Sequence, residues 1–105
     1  MSTKKNPIKE QIKRNYEELK TARQYCFNSI KVLAEDSFLL KAEVSILLEE
    51  MPHFVFLKHQ EDFIRGTLRK VCSGELEFFE AREIICTVYI QIIDAMSVIN
   101  ETMLK

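Results

Sequence analysis

Sixteen consecutive residues from Ile84 to Ile99, I-I-C-T-V-Y-I-Q-I-I-D-A-M-S-V-I, include twelve apolar ones and neither Gly nor Pro. A helix that is apolar on almost every side has no face to offer water, so the rest of the chain must be arranged to cover it. The segment therefore predicts a central helix with other helices around it. Its β-branched residues carry strand propensity. Ala81, Ile85, Val88, Ile92, Ala95 and Ile99 nevertheless keep helical steps, with no turn residue between them. Gln91 and Asp94 interrupt the run short of the ~20 apolar residues that a bilayer requires, so no membrane span is expected.

The 105 residues fit one domain with one core, residues 1–6 being a frayed end. Only two Gly and two Pro interrupt the chain, which argues for long elements and short turns. Asn6 followed by Pro7 is a helix opening, because the Asn side chain caps free amides and Pro fits the first turn. From there Ile12, Tyr16, Leu19, Arg23, Cys26, Ile30 and Leu33 recur at steps of four and three. Glu35-Asp36-Ser37 offers a break, with Asp36 or Ser37 capping a second helix. The same spacing runs on through Ser37, Leu40, Val44, Leu47 and Met51. A single long helix is thus the alternative to a hairpin.

Pro52 ends that stretch, and the run from His53 to Leu57 reads as the entry to a third helix. Ser73-Gly74 stops it, because Gly takes the left-handed cap conformation readily. Glu75, Glu77, Glu80 and Glu83 then place negative charge where the last helix begins and its dipole is positive. The prediction is an all-α, compact bundle of four helices over about residues 7–34, 37–50, 53–72 and 76–103. Its alternative has three helices, the first long and bent.

No catalytic or metal-binding pattern emerges. His53 and His59 are the only histidines, and neither shares an HxxxH, HxxE or CxxC spacing with another good ligand. Cys26, Cys72 and Cys86 are odd in number and lie in apolar stripes, as expected of reduced core thiols. The opening M-S-T-K-K-N-P is not followed by an apolar run, so no secretory leader is expected and a cytoplasmic location follows. Neither an enzyme nor a cofactor is predicted.

Charge is segregated although it sums to −1. Residues 1–36 hold eight basic and five acidic side chains, and residues 75–105 hold two basic and six acidic ones, so the first and last helices should attract one another. Lys4, Lys5, Lys9, Lys13 and Arg14 make a basic patch that could follow a phosphate backbone. Glu10, Glu17 and Glu18 dilute it, and Tyr16 is the lone aromatic beside it, so nucleic-acid binding is the secondary expectation.

The primary expectation is binding to another protein, as an inhibitor, adaptor, immunity-type factor or chaperone, or to a second copy of the chain. The seam from Ile12 to Met51 reads first as a core-facing stripe, and alternatively as a helical docking surface for such a partner. Arg23 in mid-seam is costly inside a core and would be satisfied by a partner's carboxylate. Tyr16, Leu19, Arg23, Phe78 and Phe79 are the candidate contact residues.

Overall fold

A computed structural model describes residues 7–35 and 38–102. It contains four helices, α1 (Pro7–Ala34), α2 (Leu40–Glu49), α3 (Lys58–Ser73) and α4 (Phe78–Thr102), and no strand among the described residues. The expected caps at Asn6 and at Asp36 or Ser37, the frayed 1–6 and the end of the last helix at 103 lie outside them.

The break after Ala34 separates α1 from α2, so the long first helix is not formed. The four-three spacing survives this break because both helices turn the same stripe toward one core. Leu19, Cys26 and Leu33 of α1 are buried beside Val44 and Leu47 of α2 in a single cluster. The seam is thus an inward-facing stripe rather than a docking surface. Arg23 does not belong to it. Ala22 takes the core position at 2% exposure, and Arg23, one step on, is exposed.

The third helix starts five residues later than expected, at Lys58, and the reason is where its amides go. The N–H groups of Val55, Phe56 and Leu57 all donate to the Glu18 carboxylate of α1, and that of Phe54 donates to Glu61. Those amides cannot then belong to a preceding helical turn. The end of α3 is where the sequence puts it. Gly74 has φ 82°, and the Glu75 and Leu76 amides close back on the Lys70 carbonyl. Next, Glu80 accepts the Glu77 amide at 3.3 Å and starts α4.

Each helix packs on its chain neighbours, and α4 closes the ring on α1. The result is an up-down-up-down square around a core that includes Leu19, Ile64, Leu68 and Ile85. Burying each such side chain contributes about 1.5–3 kcal/mol. The described chain measures 60 × 23 × 18 Å. At 1.5 Å per residue α1 and α4 are about 40 Å long and α2 and α3 about 15 and 24 Å. The long pair therefore overhangs the short one.

The last helix is not central. It is one corner of the square, and only Ala81, Ile85, Val88, Ile92 and Met96 are buried along it. By length and composition α4 could cross a membrane, but only 22% of its most apolar 18-residue window is buried in the bundle. Apolar side chains therefore remain on its flanks, among them Phe79, Ile90 and Val98.

Candidate functional site

Two carboxylates fix the segment that opens α3. Glu18 reaches from α1 and accepts Val55, Phe56 and Leu57 at 3.1–3.2 Å, filling the role of an N-cap that Leu57 itself cannot play. Glu61 has a fully buried side chain and accepts the Phe54 amide at 2.7 Å, Arg65 Nη2 at 2.6 Å and His53 Nδ1 at 3.1 Å. Burial pushes its carboxyl up, but the Phe54 amide, Arg65, His53 and Lys58 outweigh burial and hold it down at about 2. On the α2 side, Tyr25 donates its hydroxyl to the Leu47 carbonyl at 2.5 Å, satisfying an acceptor near the end of that helix. Burial pushes the Tyr25 phenol up to about 12.

With its start fixed this way, α3 meets α4 over only part of its length and leaves a groove. His59, Gln60 and Phe63 line one wall, and Ile84, Thr87, Val88 and Gln91 the other, around a cavity of about 370 Å³. A smaller one of about 170 Å³ adjoins it, sharing Gln60, Val88 and Gln91 and ending at Phe56 and Ala95. The groove is mostly apolar, and Phe63 is 51% exposed at its lip. From Ile84 to Ala95 it runs roughly 16 Å, about three helical turns.

The five residues selected from sequence do not form one surface. Leu19 is 1% exposed and faces the core, so a partner cannot reach it. Tyr16 and Phe78 are half-buried against the core, and Phe79 is exposed. Arg23 borders a shallow polar concavity with Glu17, Gln24 and Glu50. Phe27 of α1 stands beside Tyr89 of α4, which sets the antiparallel register of the pair. Tyr16 and Phe78 each lie eleven residues away in opposite directions, roughly 33 Å apart along the axis. Phe56, at the start of α3, is likewise remote from Phe78 and Phe79.

Among the described residues, no three His, Cys, Asp or Glu side chains gather as a metal site would require. The three cysteines are free thiols, and burial pushes that of Cys26 up to about 12, away from nucleophilic use. In the groove His59 is the sole titratable side chain.

Glu18, Glu61 and Phe63 stand outside the contact residues that the sequence nominates. For Glu61 a signal exists: it fills the step between Leu57 and Ile64 in the α3 stripe, a charge where an aliphatic residue belongs. Comparisons with protein-family models, curated proteins and solved structures give no match.

Proposed function

We propose that this chain works by binding another protein, whose amphipathic helix lays its apolar face into the α3·α4 groove. The observation that carries this reading is the groove itself, apolar at its centre, with Gln60, Thr87 and Gln91 as polar groups to fix orientation. Its length suits a helix presenting residues at i, i+3 or i+4, and i+7. Further support comes from the Glu18 and Glu61 bonds, which hold the groove's α3 wall in place before any partner arrives. A binding role is favoured over an enzymatic one because the groove brings no carboxylate or thiol to His59. Inhibitor, adaptor, immunity-type factor and chaperone all fit such a surface, and three free thiols suit a reducing compartment such as the cytoplasm.

Site-specific photocrosslinking tests it. A benzophenone amino acid replacing Phe63 should capture a partner that the same group at exposed Arg69 does not, and Ile84→Glu should abolish the capture while circular dichroism stays unchanged. Equal capture from both positions would overturn the proposal. So would binding only to nucleic acid, with affinity falling steeply in salt, which would point to the basic face of α1.

A further inference from the structure

The outer side of the α1·α4 pair, away from α2 and α3, is a different surface from the groove. Phe27 is 45% exposed and lies 6.3 Å from the Tyr89 ring between centroids. On α4, Ile90 is 58% exposed beside half-buried Ile93. Exposed Arg23 stands one turn from Phe27 on this face, and further charge borders the strip on both edges. At 100° per residue, Lys13, Lys20 and Lys31 fall in one row on the far edge of α1, and Glu83, Asp94 and Glu101 in one row on the far edge of α4. All six are exposed. Among the described residues Lys20 meets the exposed Glu17 at 3.3 Å and the Tyr16 ring, and Lys31 lies over the Phe27 ring. The three acids form no ion pair among the described residues.

The two rows share one spacing. Lys13, Lys20 and Lys31 are separated by seven and then eleven residues, and Glu101, Asp94 and Glu83 by seven and then eleven in the reverse direction. The helices are antiparallel, so both rows repeat in the same order along the bundle. With Phe27 level with Tyr89, each lysine lies within ~3 Å, two residues of rise, of one acid's height. Lys13 is thereby matched with Glu101, Lys20 with Asp94, and Lys31 with Glu83. Within one chain the rows sit on opposite edges, roughly 20 Å apart, and cannot meet.

A two-fold axis parallel to the helices brings them together. It lays α1 of one copy over α4 of the other and preserves every height, so each lysine faces its matched acid. We infer that the chain forms a symmetric homodimer through this outer α1·α4 face, Phe27 of each copy packing on Tyr89 and Ile90 of the other. The contact is isologous and closes on itself. A strip about 40 Å long and two helices, ~20 Å, wide covers roughly 800 Å² per copy, the usual size of a stable interface. A polyanion suits this face less well, because the acidic row stands on it too.

Sedimentation equilibrium across a concentration series tests the assignment. Wild type should approach twice the 12.4 kDa chain mass. Two triple variants, one carrying Lys13→Glu, Lys20→Glu and Lys31→Glu, the other Glu83→Lys, Asp94→Lys and Glu101→Lys, should each self-associate at least ~10-fold more weakly. Mixed in equal amounts they should regain the dimer mass, which shows that both remain folded. Phe27→Asp alone should give a monomer of unchanged helicity. Wild type that stays monomeric throughout, variants that self-associate as wild type does, or a mixture that stays monomeric would each overturn the inference. So would a monomeric wild type that retards a labelled single-stranded RNA and loses this with the lysine variant. Crosslinking from Phe63 is unaffected by any of these results, so the two surfaces stand or fall separately.

Discussion

Glu61 accepts the backbone amide of Phe54 at 2.7 Å, seven residues back along the chain, from a position where its own side chain is closed off from water. A neutral amide there would keep the shape and lose the charge that Arg65 answers. Glu61→Gln is expected to destabilise the fold by about 1–3 kcal/mol at pH 7, measured by urea unfolding. An unchanged midpoint would mean that the bonds contribute nothing net.

The same carboxylate sets an acid limb. Its folded value of about 2 lies below the ordinary ~4.3 of an unfolded chain, so its contribution is fully present above ~4.3 and fades as pH falls from there toward 2. Wild type should lose stability over that window more steeply than Glu61→Gln. Parallel curves would refute the assignment.

Glu43 predicts the opposite slope. Burial, and then the neighbouring Glu35 carboxyl, push it above the usual carboxylate range, and its Oε2 is buried without a hydrogen-bond donor among the described residues. Folding therefore favours its protonated form, and stability falls as pH rises through its folded value. Glu43→Gln should raise Tm at pH 7 and leave it nearly unchanged at pH 4. A lower Tm at pH 7 would count against this account.

Glu18→Ala should free the amides at the head of α3. Amide exchange at Val55, Phe56 and Leu57 is expected to accelerate well beyond that of Leu68 in the core, with a loss of about 1 kcal/mol, the usual cost of a missing cap. Uniform acceleration across α3 would indicate global destabilisation instead.

Tyr25→Phe removes the donor for the Leu47 carbonyl. A cost of about 1 kcal/mol is expected in thermal unfolding, concentrated in α2 amides by exchange. A neutral result would show that water replaces the phenol.

What could be read from the sequence follows the reach of each cause. Gly74 ends α3 through its own backbone freedom, a local effect, and the stop was legible. The start of α3 was not, because Glu18, which takes its amides, lies 37 residues before Val55. The Ile84 to Ile99 run was legible as a helix but not as a corner. Periodicity shows which residues can be buried, whereas neighbours decide which are, and α3 covers only part of α4. Arg23 drew attention as a charge in a stripe, yet small Ala22 lets the helix rotate it out to solvent. The charge that does sit inside is Glu61. Phe63 sits beside the apolar stripe of α3, and only the partial contact between α3 and α4 turns it into a groove lip.

A cap supplied from so far away also bears on how the chain can be divided. A peptide spanning only α2 and α3 would keep the stop at Gly74 but have nothing to answer the amides at the other end, so its second helix would unravel from the front. Cutting anywhere between Glu18 and Leu57 separates a lock from its key, and neither piece would hold the structure that the intact chain has.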